Sequence, residues 1–254
     1  MGATGKALAR IALEAGEIVM RHYREGCAVR EKADRSPVTD ADVEAERLIL
    51  SRLSTQFPGV PAIAEEEAAA GRMAQVNGRF FLVDPLDGTR EFVSGNGEFT
   101  VNIAEIAGGV PVAGAVYAPA VERLFFADAD GAFQLQGGTD LAGARPMRAR
   151  AAPADGLVAI GSRSHKDAKT EDYLSAFPVA RFVSAGSSLK FCLVAAGEAD
   201  IYARGGRTME WDTAAGQAVL TGAGGSVSRW DGTPLLYGKP GFENPPFVAR
   251  GLGG

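Results

Sequence analysis

Residues 80–92 read FFLVDPLDGTREF, and the rest of the chain is interpreted from this stretch. Its first four residues are apolar and predict a short strand buried on both faces. Asp84 and Asp87 follow, and two carboxylates at the end of a buried strand are costly unless a cation neutralises them. A turn would explain Pro85 and the Asp87-Gly88 pair, but it leaves Asp84 without a basic neighbour. Since Mg²⁺ prefers carboxylate and carbonyl oxygens, the stretch favours a magnesium site.

Composition narrows the chemistry that such a site can perform. The chain has 254 residues, 46% hydrophobic and 22% charged, which is typical of one large globular domain or two closely packed ones. Its net charge of −5 argues against general binding to nucleic acids or acidic membranes. The sequence has two histidines, His22 and His165, which disfavours a His-Cys zinc centre and a Ser-His-Asp triad. Carboxylates and metals must therefore carry any catalysis.

The cellular compartment is inferred from the N-terminus and the cysteines. Glu14 and Glu17 interrupt the apolar centre that a signal peptide would need, and no apolar run is long enough to span a bilayer. Cys27 and Cys192 are expected to be reduced thiols, although a disulfide between them stays open. We expect a cytoplasmic protein without stable membrane insertion. Peripheral attachment to the cytoplasmic face of the inner membrane is left open.

The N-terminal residues predict helices followed by a strand. Apolar residues at three- and four-residue spacing predict an amphipathic helix over residues 3–25. Residues 31–42 predict a polar loop leading into a second helix, with Thr39 as its N-cap and Asp42 in its first turn. Residues 61–67, PAIAEEE, predict a strand that runs into three glutamates. These glutamates are either a solvated helix start or place one carboxylate beside the aspartates of the central stretch.

The two halves of the chain have different patterns. Apolar and alternating segments predict antiparallel strands over residues 100–106, 112–117 and 123–127. From residue 157 onward strands alternate with helices, which indicates an α/β layer. The small and proline-containing residues between these halves predict a domain boundary. We expect an α+β domain over residues 1–145 and an α/β domain over residues 146–254 that completes the metal and substrate site.

A second acidic motif, EWDTAAG, occupies residues 210–216. Alone, it is explained by Asp212 as a helix N-cap with Trp211 as a hydrophobic anchor. Together with PAIAEEE, VDPLDGTREF and GSSLKFCLVAAGEAD, in this order, it makes the chain resemble the inositol monophosphatase-like superfamily of Mg²⁺-dependent phosphatases. The resemblance extends from SPVTDAD to PLLYGKPGFENPPF and is strongest to the bacterial 3'(2'),5'-bisphosphate nucleotidases. It implies a layered αβαβα sandwich, α/β overall with an α+β N-terminal half.

The resemblance also implies catalytic and metal-binding roles. Glu65 binds metal and helps to orient the attacking water, and the Thr89 hydroxyl pairs with that water. Asp84 bridges two metal ions. Two Mg²⁺ ions are therefore expected, with a weaker third position beside Asp42, and the implied metal ligands are Glu65, Asp84, the carbonyl of Leu86, Asp87, Asp212 and, at the third position, Asp42. The implied substrate-binding residues are Gly88, Thr89, His165, Ser187, Lys190, Arg204 and Asp212.

The choice of substrate depends on two positions at which the branches of the superfamily differ. Arg90-Glu91-Phe92 resembles the nucleotidases, whereas inositol phosphatases tend to have Thr-Asn-Phe there. Gly205 occupies the region in which inositol phosphatases carry an acidic residue that holds sugar hydroxyls. Glu210 remains open as a substitute for that residue, and the role of Lys32 is open as well.

The leading prediction is removal of the 3'-phosphate from adenosine 3',5'-bisphosphate (PAP), which gives AMP and phosphate. PAPS is a further candidate substrate, and the resemblance implies inhibition by Li⁺. The expected partner is thus a small phosphorylated nucleotide and not a nucleic acid, with the protein either a monomer or a homodimer. Two alternatives stay open: a phosphatase for inositol 1-phosphate or fructose 1,6-bisphosphate, and a scaffold without catalysis.

Overall fold

The computed structural model describes residues 1–32, 36–162 and 167–253. Its first helix is the predicted amphipathic one, and the second begins directly after Thr39, as predicted. The α-helices in the described ranges are α1 (Ala3–Glu25), α2 (Asp40–Gln56), α3 (Glu65–Ala69), α4 (Thr89–Val93), α5 (Ala168–Ser175), α6 (Leu189–Ala195) and α7 (Glu210–Gly222).

A small hairpin and a seven-stranded sheet form the first half. The hairpin pairs β1 (Val29–Glu31) with β2 (Pro37–Thr39), so the prediction of a loop throughout residues 31–42 is wrong at its ends. In the sheet the strands lie in chain order, antiparallel except for the first pair. These strands are β3 (Ala62–Ala64), β4 (Arg79–Asp87), β5 (Thr100–Ala107), β6 (Val110–Ala118), β7 (Arg123–Asp128), β8 (Gly131–Gln136) and β9 (Arg145–Met147).

The second half contributes a five-stranded sheet in the order β11-β10-β12-β14-β13. Its strands are β10 (Leu157–Gly161), β11 (Val179–Ser184), β12 (Ile201–Arg204), β13 (Ser226–Arg229) and β14 (Phe247–Arg250). The predicted alternation of strands and helices gives the parallel part, in which β10 lies between β11 and β12. The last two strands pair antiparallel, which makes the sheet mixed.

The layers confirm the predicted αβαβα sandwich. Helices α1 and α2 cover one face of the seven-stranded sheet, α6 and α7 lie between the two sheets, and α5 packs on the outer side of β12. Strand β4 is buried on both faces. Its successive side chains point to opposite sides, so they join two different cores. Phe81 and Val83 join the core under α1 and α2, whereas Phe80 and Leu82 join the core between the sheets.

The change from one sheet to the other falls in the segment in which a domain boundary is predicted, after β9 and before β10. Helix α7, from the second half, nevertheless packs on β5 and β6 of the first sheet. The division into residues 1–145 and 146–254 stays a prediction.

Two further observations concern the thiols and the helices. Cys27 and Cys192 are both free, so the disulfide that the sequence left open is not formed. No helix in the described part of the chain is both long enough and apolar enough to span a bilayer.

Close packing between α6 and α7 gives a first testable prediction. A β-carbon added at Gly216 would lie 2.6–2.7 Å from atoms of the Phe191 side chain. We expect Gly216→Ala to lower the free energy of unfolding by about 1–3 kcal/mol because of overpacking. In an uncrowded helix the same change would stabilise by roughly 0.5–1 kcal/mol. Urea denaturation measures the difference, and Gly143→Ala, whose added atom comes no closer than 3.4 Å to Leu135, is the control. A stabilised Gly216→Ala protein would contradict this packing.

Candidate active site

A cavity of about 290 Å³ lies where β4 ends and α3, α4 and α7 begin. It brings together ten of the residues predicted for the site: Glu65, Asp84, Leu86, Asp87, Gly88, Thr89, Ser187, Lys190, Arg204 and Asp212. The chain positions of these residues span about 150 places, and the layered fold makes them neighbours. Of the remaining two, His165 lies outside the described residues, and Asp42 contacts the site only through a neighbour.

The end of β4 places both aspartates of the central stretch at this cavity. Asp84 pairs with Asn102 of β5, and after a register shift Asp87 pairs with Thr100. The sequence predicts that the strand ends at Val83, but it continues to Asp87. Pro85 lacks a backbone N–H, and the shift lets the pairing with β5 resume beyond it.

Gly88 and Thr89 form the start of α4. Gly88 has a φ of 92°, and a β-carbon there would lie 3.1 Å from the carbonyl oxygen of Glu98, so both conformation and space favour glycine. The Thr89 hydroxyl lies 3.1 Å from the Leu86 carbonyl oxygen and 3.2 Å from Asp42 Oδ1. Because a hydroxyl has one proton, it donates to one of these two at a time.

Asp42 lies in the first turn of α2, as predicted, and forms a capping box with the N-cap Thr39. Its Oδ2 accepts hydrogen bonds from the backbone N–H of Thr39, at 2.8 Å, and from the Thr39 hydroxyl, at 2.6 Å. Burial raises the pKa of Asp42, and the hydrogen bonds from Thr39 oppose that rise. Through Thr89 the same carboxylate also touches the cavity. A third metal position beside it stays a prediction.

Glu65 is the glutamate of the acidic cluster that lines the cavity. Strand β3 runs parallel to β4, with Ala64 beside Val83, so the next residue of β3 reaches the end of β4. Glu65 Oε1 lies 2.7 Å from Lys32 Nζ, which also lies 2.6 Å from Glu66 Oε1. Burial disfavours the charge on Lys32, but these two carboxylates outweigh it and raise its pKa. Lys32, whose role the sequence left open, is therefore the counter-ion of Glu65 and Glu66.

Asp212 lies in the first turn of α7 and is not its N-cap, so that part of the structural explanation is wrong. The cap is Met209, whose backbone N–H donates to Asp212 Oδ2 at 2.8 Å. The N-cap therefore lies three residues before the predicted one, and Glu210, Trp211 and Asp212 are already helical. Across the cavity the backbone N–H of Ser188 donates to Asp87 Oδ2 at 2.7 Å.

The acidic groups perturb one another strongly. Burial raises the pKa of Asp84 well above its ordinary value, and the nearby Glu65, Asp87 and Asp212 raise it further. Burial also raises the pKa of Asp212, with Asp87 and Glu65 adding to the effect. The pKa of Asp87 rises to about 6, chiefly through burial, although the charge of Lys190 opposes the rise. These carboxyl groups thus keep their protons up to a higher pH than usual. The main cause is burial, and close neighbours of the same charge with too little compensating positive charge add to it.

The donor set suits a hard divalent cation. In the described ranges no three His, Cys, Asp or Glu side chains already stand together as a complete metal site. Within the same ranges Asp84 receives one hydrogen bond, from the backbone N–H of Leu86 at 3.0 Å, although it is only 1% exposed. Several carboxylate oxygens and a carbonyl in one cavity match the oxygen ligands that Mg²⁺ takes.

Lys190 and Arg204 are two of the basic residues that line the cavity. Lys190 is buried, its Nζ donates to the Ser187 carbonyl at 2.6 Å, and burial lowers its pKa to about 8. Ser187 itself has a φ of 45°, a left-handed conformation that is uncommon for a residue with a side chain. The Nε atom of Arg204 is buried without a hydrogen-bond partner among the described residues. Such a donor is suited to an anionic group that enters the cavity.

Sequence reasoning missed a set of buried hydroxyl and amide groups behind the aspartates. Thr100 and Asn102 are both buried, and their side chains hydrogen-bond with each other. The Ser188 hydroxyl donates to Asn102 Oδ1, and Asn102 Nδ2 lies 3.5 Å from Asp87 Oδ2. The available signal was two polar residues, two positions apart, at the start of the largely apolar strand β5.

Glu210 is committed to another part of the structure. It is fully buried, and its carboxylate accepts from the backbone N–H groups of Gly238, at 2.7 Å, and Lys239, at 2.9 Å. Lys239 Nζ also lies 2.6 Å from it. These contacts attach the C-terminal segment to the first turn of α7. The alternative in which Glu210 holds sugar hydroxyls therefore gains no support.

Comparison of the chain with known proteins agrees with this geometry. The model of the inositol monophosphatase family matches residues 4–249. The chain belongs to the inositol monophosphatase family.

Similar members of the family are bisphosphate nucleotidases. The 3'(2'),5'-bisphosphate nucleotidase CysQ of Escherichia coli K12 is 44% identical over 245 residues, which are 94% of this chain and 96% of that protein. The protein of the same name from Buchnera aphidicola is 39% identical over 82% of this chain and 77% of its own length.

Solved structures of the family have the same fold. CysQ from Bacteroides thetaiotaomicron has a TM-score of 0.84 and 35% identity, covering 98% of this chain and 97% of that one. The inositol monophosphatase from Anabaena has a TM-score of 0.76 and 25% identity, covering 98% and 90%. Peripheral attachment to a membrane gains no support from any of these proteins.

Mutual repulsion at the cavity gives a second prediction. We expect Asp84→Asn to raise the free energy of unfolding by about 0.5–2 kcal/mol in EDTA at neutral pH. The substitution removes a buried negative charge that no cation neutralises when EDTA is present. The gain should shrink as the pH is lowered. The raised pKa means that the wild-type carboxyl takes up a proton and loses its charge as the pH falls through that value.

Asp200→Asn is the matched control, measured by urea denaturation under the same conditions. The Asp200 carboxylate is buried but is paired with Arg150 at 2.7 and 2.9 Å, so losing its charge should destabilise the protein. An Asp84→Asn protein that is less stable than wild type in EDTA would contradict the unbalanced charge.

Proposed function

We propose that this protein is a Mg²⁺-dependent phosphomonoesterase that removes the 3'-phosphate of PAP, and also accepts PAPS. The observation that carries the proposal is one cavity that is lined both by the carboxylates of Glu65, Asp84, Asp87 and Asp212 and by basic side chains that include Lys190 and Arg204. The acidic groups suit metal ions, and the basic groups suit a substrate with a second phosphate. The 44% identity to a 3'(2'),5'-bisphosphate nucleotidase supports the same substrate class.

The residues that would hold two Mg²⁺ ions are those at the end of β4 and the two helix starts beside it: Glu65, Asp84, the Leu86 carbonyl, Asp87 and Asp212. When bound, the metal ions would supply the positive charge that makes water more acidic and stabilises the departing oxygen. They would also relieve the repulsion that raises the pKa values of Asp84 and Asp212.

The chain's own groups would position the reaction. Glu65 and the Thr89 hydroxyl would hold the attacking water, and the N–H groups of Gly88 and Thr89 would bind phosphate oxygens at the start of α4. The water oxygen forms a bond to phosphorus as the bond from phosphorus to the 3'-oxygen breaks, which releases phosphate and AMP. Hydrolysis of phosphate monoesters requires rate enhancements of up to roughly 10²¹-fold, so charge and alignment must both contribute.

A second cavity beside the first supports a nucleotide over an inositol phosphate. Its volume of about 570 Å³ is within the range of small-molecule sites. It shares Ser162, Tyr202 and Arg204 with the first cavity, so the two adjoin. Its apolar lining residues are Leu174, Phe177, Val179, Phe182 and Ala203. A purine ring can be buried against such a surface, whereas the hydroxyl-covered ring of an inositol gains little there.

The third prediction concerns the substrate. We expect Mg²⁺-dependent phosphate release from PAP to exceed that from inositol 1-phosphate by at least about tenfold in kcat/KM, because the second cavity contributes binding to the nucleotide alone. Both esters and PAPS are assayed side by side, with and without EDTA and with added Li⁺. Asp212→Asn, which removes a proposed metal ligand, should abolish all release. A clear preference for the inositol ester would overturn the proposal.

The fourth prediction locates the base. Phe182 is half exposed at the second cavity, and stacking of a base on an aromatic ring contributes roughly 1–3 kcal/mol. We expect Phe182→Ala to raise KM for PAP at least about fivefold and to leave kcat/KM for inositol 1-phosphate unchanged. Val121→Ala, an exposed apolar residue outside the lining of this cavity, is the control. Equal losses with both substrates would place the base elsewhere.

A further inference from the structure

Glu46 is a buried carboxylate that the proposed reaction does not use. It lies on α2, one turn after Asp42, and is only 4% exposed. Its Oε2 accepts a hydrogen bond from the backbone N–H of Glu66 at 2.8 Å, and its Oε1 accepts one from the backbone N–H of Glu67 at 3.0 Å. Both donors belong to the first turn of α3, the turn that begins with Glu65.

Helix α3 has no N-cap side chain of its own that could accept these two hydrogen bonds. The first N–H groups of a helix have no partner within the helix and are usually satisfied by a side chain at the N-cap. The N-cap of α3 is Ala64, which is 1% exposed and has no polar side chain. Glu46 takes the place of that cap from a different helix. The start of α3 is therefore fixed relative to α2 and not only by its own sequence.

Keeping a carboxylate at this position is costly. Burial raises the pKa of Glu46 to about 7, and the neighbouring charges of Glu66 and Glu67 add to the rise. An apolar side chain would avoid the cost of burying this charge, but it would leave the N–H groups of Glu66 and Glu67 without an acceptor. What the acid adds is direction, because two hydrogen bonds to consecutive N–H groups hold the backbone from which Glu65 extends.

A second contact from α2 orients the start of α4, just as Glu46 orients the start of α3. Asp42 Oδ1 lies 3.2 Å from the Thr89 hydroxyl at the start of α4. Residues four positions apart share one face of a helix, so a single face of α2 presents Asp42 to α4 and Glu46 to α3. This helix thereby sets the distance between the two residues assigned to the attacking water, Glu65 and Thr89.

We propose that Glu46 is a positioning residue, whose carboxylate fixes the first turn of α3 so that Glu65 faces Asp84. The inference rests on the proposed function in so far as Glu65 is assigned to metal and water. It concerns the chain's own geometry, however, and can be read from metal binding without any substrate.

The fifth prediction tests this with Glu46→Gln in the full-length protein. Glutamine keeps the shape but offers one carbonyl oxygen, so its NH₂ group must face one of the two N–H donors. We expect Mg²⁺ to bind about tenfold more weakly to the metal-free protein, measured by isothermal titration calorimetry, as for other groups that orient a metal ligand. We also expect kcat for PAP to fall by at least tenfold, with KM changed less than threefold.

Two further variants make the result decisive. Glu105→Gln alters an equally buried glutamate, which pairs with Arg79 at the opposite end of β4 from Asp87. It should lose stability without a change in Mg²⁺ affinity, which separates positioning from stability. Glu46→Asp keeps the charge but shortens the side chain, so it should bind Mg²⁺ at least threefold more weakly, and it stands in if the glutamine variant does not fold.

The outcomes separate this inference from the proposed function. A folded Glu46→Gln protein that binds Mg²⁺ within twofold of wild type would overturn the inference, as would a wild type that binds no Mg²⁺. A wild type that binds Mg²⁺ but releases no phosphate from PAP would overturn the proposed function alone. In that case the calorimetry on the variants still decides the role of Glu46.

Discussion

Repulsion between acidic side chains at the end of β4 is the constraint that the rest of the site has to satisfy. Burial contributes most to the raised pKa values of Asp84, Asp87 and Asp212. Glu65 adds to all three rises, and Asp87 adds to those of Asp84 and Asp212. Packing of the layers supplies the compensating free energy, because α7 is held between the sheets by its apolar face while its first turn brings Asp212 to the cavity. A site of this kind has to be paid for by burial elsewhere.

The same layers explain why several helices begin at this cavity. Strands β3 and β4 run parallel, and β3 ends beside Val83, four residues before the end of β4, so the chain leaves both strands at the same edge of the sheet. It enters α3 and α4 there at once, since Glu65 directly follows β3 and only Gly88 separates β4 from α4. Helix starts present backbone N–H groups, and these favour negatively charged groups. The arrangement therefore tolerates carboxylates and phosphate oxygens at one edge of the sheet.

The sequence predicts most of the elements and most of the residues that meet at the cavity, because apolar periodicity and the spacing of short motifs are local properties. The full extent of α1, the Thr39 cap and the convergence of Glu65, Asp84, Asp87 and Asp212 on one cavity are confirmed. It fails where partners come from far away. The continuation of β4 past Pro85 depends on pairing with β5, and the cap of α3 comes from α2. No local pattern contains either contact.

Buried acids in this protein differ in how well they are satisfied, and that difference separates structural from functional roles. Glu210 has two backbone donors and an ammonium group, and Asp200 has a guanidinium and the N–H of Val158. Asp84 has one backbone donor, in the part of the chain that the structure describes, and neighbours of its own charge. Glu210 and Asp212 are two residues apart in the same helical turn. Their sequence context is nearly the same, so the supply of donors around each carboxylate explains why Asp212, and not Glu210, lacks compensating positive charge.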